Sequence, residues 1–404
     1  MKKILWVLLP LLLLSACAVE EAPEVTAPPI IEVEIPYEKP VRELPYEGVT
    51  MTFQSVWWED EPQAQVLVQA AQFFEKQTGA VVQILWPEEA GQQADISQVY
   101  ASQVETIAPE SVLDLTAFAE KTDFAEKSHE ALRNRIIEQF GFLGAVAQVP
   151  YLGGVYYNAD VFNQCEIEQL PRTWEEFMDT AEILRLNGWE PLTLDKEDAV
   201  TAMELHLRRS IGSEEMLKFM GKSAHWHFDQ AVIDAMEQVM IFAQSGYMTY
   251  GTPADYPAGQ NKMALSNSAM MVGTNADCAA VEEATAMDLN WGVFPYPGQL
   301  ESGTWASADV LVVSKDCENP QAAFDFVMLL ATGEFDQLRA NIMRGIPADP
   351  TNDSPVAGAV EAFRAALPAD LGIFGSKQTD AAVKLWSGWY DKANRYAIAL
   401  ERSK

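Results

Sequence analysis

The chain has 404 residues, roughly two to three times the length of a typical domain, and 49% of them are apolar. It can therefore bury a substantial core, and disorder over the whole chain is excluded. The formal net charge of −32 excludes nucleic acid as a partner, because a phosphate backbone is bound by a basic surface.

The first residues have the pattern of an export signal. Lys2 and Lys3 precede an apolar stretch over residues 4–14, too short to span a bilayer comfortably as a mature helix. It ends in LSAC at residues 14–17, which resembles the bacterial lipobox, where a cysteine is lipidated. We predict a lipoprotein signal peptide over residues 1–16 and a lipid on Cys17; the alternative is an ordinary signal peptide with a chance cysteine.

An acidic, proline-rich segment follows over residues 17–47. Its prolines are Pro23, Pro28, Pro29, Pro36, Pro40 and Pro45, and glutamates lie between them. Such a composition cannot pack a core and favours extended polyproline conformations. We predict a tether between the lipid anchor and the folded part of the chain.

Strand and helix patterns alternate after the tether. Residues 49–56 predict a strand, residues 63–77 an amphipathic helix that stops at Gly79, and residues 80–86 a second strand. A strand, a helix and a strand in this order form a βαβ unit, which requires a parallel sheet.

Two later helices have clear start signals. Thr173 and Glu176 have the spacing of a capping box, and the helix they begin is predicted to end near Gly188. A strand over residues 309–314 is followed by Asn319 as cap, Pro320 at the first helical position and a helix through Ala331.

Three cysteines follow Cys17, namely Cys165, Cys278 and Cys317. This number permits at most one internal disulfide, and whether one forms is left open. No cysteine lies in a C-x-x-C motif, so each is expected to be a buried apolar side chain.

Eight short segments follow one another in a characteristic order. They are FFEKQTGAVV at 73–82, QVPY at 148–151, VYYNADVF at 155–162, LPRTWEEF at 170–177, KMAL at 262–265, AMMV at 269–272, NPQAAFDF at 319–326 and RGIPA at 344–348. Together they resemble the extracellular solute-binding proteins of ABC transporters, specifically the large family that captures sugars and oligosaccharides.

The resemblance implies an α/β, two-lobed periplasmic-binding-protein-like fold with a hinge and a ligand cleft between the lobes. The first lobe would comprise residues 48–149 and about 295–343, and the second about 150–294 and 344–404. Crossings between lobes are expected near residues 149–152, 292–296 and 344–347. The implied protein is a monomer on the outer side of a bacterial cell membrane, at the cell surface or in the periplasm, and delivers its solute to an ABC permease.

Aromatic faces and carboxylates suit a carbohydrate, because sugars present C–H surfaces and hydroxyl groups. Strand ends and crossings carry such residues. The candidates for ligand contact are Trp57, Trp58, Glu59, Asp95, Tyr100, Tyr151, Trp305 and Asp309. Each aromatic side chain among them has the alternative of an ordinary place in the core.

One segment departs from the family pattern. Where many relatives place a Trp after the segment at 269–272, this chain has Gly273, and Thr274, Asn275 and Asp277 are candidates to bind hydroxyls instead. The acidic candidates also keep open a receptor for a polyamine or another small cation. A sensory receptor of the same fold, without transport, is a third alternative.

Enzymatic function has little support. The segment GKS at 221–223 resembles the end of a phosphate-binding loop, but Met216 stands where the loop needs its first glycine. His225 and His227 have no third ligand at suitable spacing. Paired carboxylates for glycoside hydrolysis stay open, because spacing along the sequence does not give spacing in space. We expect no catalysis, no metal ion and no cofactor.

The lipobox-like segment generates a first prediction. Replacing Cys17 by Ser removes the thiol that would carry the lipid, so the Cys17→Ser variant should be released or misprocessed. Fractionation and mass spectrometry of the mature amino terminus measure this. A variant that is still lipid-modified and membrane-bound contradicts the prediction.

Overall fold

The computed structural model of the chain describes residues 44–89, 93–193, 230–247, 268–285, 288–297 and 304–370, with single residues between 202 and 212 and between 388 and 395. The predicted signal peptide, Cys17 and residues 17–43 of the predicted tether lie outside this part of the chain. So do the segments at 221–223 and 262–265 and the histidines His225 and His227.

The folded part begins with the predicted βαβ unit. β1 (Thr50–Gln54), α1 (Pro62–Thr78) and β2 (Val81–Leu85) follow one another, and the two strands pair in parallel. Helix α1 ends at Gly79, whose φ of 81° lies in the left-handed region that favours glycine. A Cβ there would also lie 3.0 Å from the Cα of Glu47. These predicted elements and the stop are confirmed.

The described strands form an eight-stranded sheet. β3 (Ile96–Val99) pairs in parallel with β1, and β8 (Trp305–Val313) pairs antiparallel with β3 on its other side. The remaining strands are β4 (Val146–Asn158), β5 (Glu190–Thr193), β6 (Ser268–Thr274) and β7 (Trp291–Phe294). The order is β2-β1-β3-β8-β4-β6-β5, and β7 also pairs with β4.

Strand β4 links the two parts of this sheet. With β8 its register runs from Val146 opposite Leu311 to Gly153 opposite Trp305, and beyond Gly153 it pairs with β6 and β7. The crossing expected at 149–152 lies in this stretch. The crossing expected at 292–296 overlaps β7, which pairs with the carboxyl half of β4 and forms a bridge from Gly292 to Ala357. Strand β8 pairs with residues 146–153 of β4, where the first crossing is expected.

Helices cover the sheet. They are α2 (Thr116–Ala119), α3 (Glu130–Phe140), α4 (Ala159–Gln164), α5 (Trp174–Leu186), α6 (Gln230–Gln244), α7 (Asn275–Thr285), α8 (Pro320–Ala331), α9 (Gly333–Ile342) and α10 (Ala359–Asp370). The capping box of α5 is present in full, as predicted. Helix α8 begins at Pro320 as predicted, but the side chain of Asn319 makes no capping hydrogen bond.

Buried aromatic side chains contribute to the core on both parts of the sheet. Phe326 of α8 packs edge-on against Phe53 and Phe74, with ring centroids 5.9 and 5.3 Å apart. On the other part, Tyr156 and Trp291 are fully buried against α7 and α10. The cysteines Cys165, Cys278 and Cys317 are buried free thiols, as expected for cysteines outside any C-x-x-C motif.

The described helices are too short or too polar to cross a bilayer, since none combines the length and the hydropathy of a membrane span.

The capping box of α5 permits a stability test. Thr173 accepts the N–H of Glu176 through its side chain, and the carboxylate of Glu176 accepts the N–H of Thr173 at 3.1 Å. The Thr173→Ala variant should lose about 1 kcal/mol of unfolding free energy in urea titrations. The control is Glu175→Ala, an exposed neighbour that makes no side-chain hydrogen bond, with an expected change within about 0.5 kcal/mol. Equal losses in both variants would contradict a capping role.

Candidate functional site

The carboxyl ends of β1, β2 and β3 lie along one edge of the sheet, because these strands are parallel. Ligands of open α/β sheets bind beyond this edge. Trp58 follows β1 and is 52% exposed, and Tyr100 follows β3 and is 43% exposed. Both are large aromatic side chains that the core leaves uncovered, which places an aromatic surface at this edge.

The loop that carries Trp58 is held by the neighbouring strands. The Val56 N–H donates to the side chain of Gln98 at 3.2 Å, and the Gln98 amide donates to the Oε1 of Gln148 at 2.9 Å. The hydroxyl of Tyr100 donates to the Val56 carbonyl at 3.2 Å. Because the Val56 residue is fixed at both its N–H and its carbonyl, the position of the loop follows from β3 and β4.

Asp309 is the buried carboxylate at this edge. It is 2% exposed, on β8, opposite Val149 of β4. One oxygen accepts the Ala101 N–H at 2.7 Å, and the other accepts the hydroxyl of Tyr151 at 2.8 Å. Asp309 therefore links the segment that follows Tyr100 to Tyr151 of β4.

Burial controls the electrostatics of this cluster. It raises the pKa of Asp309 to about 6, against the lowering effects of the Ala101 N–H, the Tyr151 hydroxyl and Arg339. Burial, with the charge of Asp309, also raises the pKa of Tyr151 well above its usual range. The pKa of Tyr100 is raised by burial first and by Asp309 and Glu61 next. Both tyrosines therefore stay protonated and available as hydrogen-bond partners.

The other candidates of the first part of the sheet lie around or away from this cluster. Trp57 is buried in the core at 5% exposure, and Glu59 is exposed beside Trp58. Asp95 precedes β3 at its amino end, about 16 Å of strand away from Tyr100. Its carboxylate accepts the N–H and the hydroxyl of Thr52, both at 2.8 Å. The fold does not bring Asp95 to the aromatic edge.

The polar residues after β6 serve the backbone. Asn275 is 2% exposed, accepts the Leu152 N–H at 2.9 Å and donates to the Pro150 carbonyl at 3.1 Å. The side-chain amide of Asn275 thus extends the hydrogen bonding along β4 beyond the last residue of β6. The N–H and the hydroxyl of Thr274 donate to Asp277, at the start of α7. Asn275 therefore stabilises β4, and Asp277 stabilises the start of α7.

A buried ion pair holds the third connecting segment. Asp336 and Arg339 of α9 pair at 2.7 Å, and both are almost fully buried. The Asp336 carboxylate accepts the N–H groups of Ala348 and Asp349, and Arg339 donates to the Ile346 carbonyl. The crossing expected at 344–347 is thus fixed to α9.

Trp305 lies on β8 opposite Gly153, and its side chain lies outside the described part of the structure.

Several residues of this site were not singled out from the sequence. Gln98 and Gln148 form the buried amide pair, and Ala101 and Arg339 complete the surroundings of Asp309. A signal was available for the two glutamines, because an amide on the inward face of an apolar strand needs a partner. Ala101 acts through its backbone, which no side-chain pattern reveals. Among the described residues, no group of His, Cys, Asp and Glu side chains is arranged to hold a metal ion.

A sheet whose strand β4 runs through both of its parts, with an aromatic edge on the first part, defines a two-lobed α/β binding protein of the periplasmic-binding-protein type. The chain belongs to the family of bacterial extracellular solute-binding proteins, which matches it over residues 57–334. A comparison with curated proteins finds no match.

Solved structures agree with this fold. The apo-form of RafE from Streptococcus pneumoniae superposes with a TM-score of 0.66 at 16% identity, covering 89% of this chain and 99% of RafE. RafE has also been solved in complex with raffinose. A sugar transporter protein from Bacillus licheniformis in complex with stachyose has a TM-score of 0.57 at 15% identity, and the match covers 88% of this chain and 99% of that protein. At such identities the likeness establishes the fold.

The raised pKa of Asp309 predicts a pH-dependent stability. The pKa of Asp309 is about 6 in the folded state and 3.8 in the unfolded state, so the folded state binds the proton more tightly. The contribution of this group to stability is therefore lost as the pH rises from 3.8 to about 6. Relative to Asp309→Asn, the wild type should therefore lose about 2 kcal/mol of unfolding free energy between pH 4 and pH 7, measured in urea. The control is Ser307→Ala on the same strand, whose offset from the wild type should be constant with pH. A constant offset for Asp309→Asn would contradict the prediction.

Proposed function

We propose that this chain is an extracellular receptor, tethered to the membrane by a lipid on Cys17, that captures a mono- or oligosaccharide and delivers it to an ABC permease. It acts by binding, without catalysis, and works as a monomer. The lobe boundaries at about residues 150, 295 and 344 are part of the proposal. Membership of a solute-binding family supports the class, and structures of the same fold in complex with raffinose and stachyose support the solute.

The observation that carries the carbohydrate assignment is the pair of exposed aromatic side chains at the sheet edge. Trp58 and Tyr100 offer flat apolar faces, which suit the C–H surface of a sugar ring. The Tyr151 hydroxyl lies near Tyr100, on β4, and donates to Asp309. The edge thus combines aromatic surface with a fixed polar group, the combination expected at a site for a neutral polyhydroxylated solute.

The same contacts disfavour a polyamine. A dication would need carboxylates that are free to face it, but Asp95 is engaged by Thr52 and Asp277 by Thr274. Asp309 is buried and already accepts two hydrogen bonds. Glu59 is exposed beside Trp58, and exposed carboxylates attract a cation weakly because water and salt screen them.

The first experiment is a thermal-shift panel of raffinose, stachyose, D-galactose, spermidine and amino acids. A ligand that binds only the native state raises the melting temperature. We expect a sugar to give the largest shift. A largest shift with spermidine would overturn the carbohydrate assignment and leave the receptor class intact.

Replacing Trp58 by Ala tests the aromatic surface. Its loss should cost about 1 to 3 kcal/mol, which is roughly a ten- to hundredfold loss of affinity for the best sugar in calorimetry. The control is Leu186→Ala, which removes a 69% exposed apolar side chain from α5 and should leave the affinity unchanged.

Salt separates the two ligand classes. A neutral sugar has no long-range field to screen, so its affinity should change little between low and high salt. For a polyamine, Glu59→Gln would weaken binding more than Trp58→Ala, and affinity would fall as salt rises. An affinity that falls strongly with salt and is unchanged in Trp58→Ala contradicts the sugar assignment.

Closure of the lobes gives a further prediction. If β4, β8 and the segment at 344–347 act as a hinge, binding of the best sugar should bring the lobes together. The radius of gyration from small-angle scattering should then be smaller with saturating sugar than without. An unchanged radius at saturation argues for a rigid site and against a hinge.

A further inference from the structure

We infer that Asp309 sets the hydrogen-bonding polarity of the Tyr151 hydroxyl: Tyr151 offers an acceptor to a bound solute while Asp309 is ionised, and a donor once Asp309 is protonated. The inference rests on the proposed function only in naming a solute as the group that meets Tyr151. The switch itself belongs to the free protein.

The geometry restricts Asp309 to two partners from two different elements. Its Oδ1 accepts the Ala101 N–H at 2.7 Å and its Oδ2 accepts the Tyr151 hydroxyl at 2.8 Å. With Asp309 ionised, the Tyr151 hydrogen is committed to Oδ2. What Tyr151 then offers to a solute is the lone pair of its oxygen. Tyr151 is partly exposed as a residue, and the inference places a solute group against its oxygen.

Protonation reverses this arrangement. The Ala101 N–H can only donate, so Oδ1 must remain an acceptor, and a proton taken up from solvent belongs on Oδ2. The new O–H of Asp309 then donates to the Tyr151 oxygen across the same contact. The Tyr151 hydrogen is released from Asp309 and turns outward as a donor. No other bond forms or breaks.

The charged surroundings allow Asp309 to titrate near neutrality. From α9, Arg339 acts on Asp309 at a distance, but its guanidinium is bound to Asp336 and to the Ile346 carbonyl. From the edge of the sheet, Tyr100 faces Asp309, and the Glu61 carboxylate lies near Tyr100. No cation is hydrogen-bonded to Asp309 among the described residues. Burial therefore raises its pKa to about 6, close to neutrality.

The consequence for recognition is a pH-dependent preference. Above the midpoint, the Tyr151 oxygen accepts from a solute hydroxyl hydrogen. Below the midpoint, the Tyr151 hydroxyl donates to an ether, carbonyl or hydroxyl oxygen. A solute group that can only accept a hydrogen bond should therefore bind more tightly at low pH, and a group that can only donate one should bind more weakly.

The test follows Tyr151 in the full chain without any ligand. Tyrosine labelled with carbon-13 at Cζ gives one signal for each of the 12 tyrosines, and the signal that disappears in Tyr151→Phe belongs to Tyr151. We expect this signal to move between two plateaus with a midpoint near pH 6, over a titration from pH 8 to pH 4.5. The Asn amide of the Asp309→Asn variant donates to Tyr151 permanently. Its Tyr151 signal should therefore stay at the low-pH plateau at every pH.

Three results overturn the inference: a Tyr151 signal that does not titrate, a titration that persists in Asp309→Asn, and an Asp309→Asn signal fixed at the high-pH plateau. If Asp309→Asn does not fold, infrared difference spectra between pH 7 and pH 5 decide instead. A band of a protonated carboxyl group should appear and should shift in Tyr151→Phe. A band that Tyr151→Phe leaves unchanged overturns the inference. Because no ligand is present, these results are independent of whether the solute is a sugar.

Discussion

The carboxylate of Asp309 is the contact on which the arrangement of the site depends. It lies where β8 and β4 run side by side, and it binds a backbone N–H from the segment after β3 and a hydroxyl from β4. Removing a carboxylate from water is costly, so such a group persists only where its hydrogen bonds are satisfied. Two donors from separate elements meet this need and fix the exposed Tyr100 relative to Tyr151.

The continuity of the sheet follows from the same pair of strands. β4 contacts β8 on one side of Gly153 and β6 and β7 on the other, so both parts of the sheet share its backbone. Asn275 extends this pairing with its side-chain amide at Pro150 and Leu152. Tyr151 therefore lies in a stretch of β4 whose backbone is held both by β8 and by Asn275. The ion pair of Asp336 and Arg339 holds the neighbouring connection in the same way.

The acidic residues of the chain have several different structural roles. Asp277 and Glu176 stabilise helix starts, Asp95 binds Thr52 between two strands, and Asp309 fixes the site. A count of carboxylates near a cleft cannot separate these roles. Most of the acidic residues considered as ligands for a cation are bound to the protein's own backbone or hydroxyl groups, and this directs the assignment toward a neutral solute.

The sequence by itself determined the local elements and the class of the protein. Periodicity and caps located β1, α1, β2, the capping box of α5 and the start of α8, because these signals depend on neighbours a few residues apart. The order of short segments pointed to the family that matches residues 57–334. The exposure of Trp58 and the burial of Trp57 were decided only by the tertiary structure, since the two adjacent residues have the same chemistry. The same holds for Asp95 and Asp309. Both are aspartates next to apolar strand residues in the sequence, and only the pairing of strands far apart in sequence places one at the amino end of β3 and the other within β8 beside Tyr151.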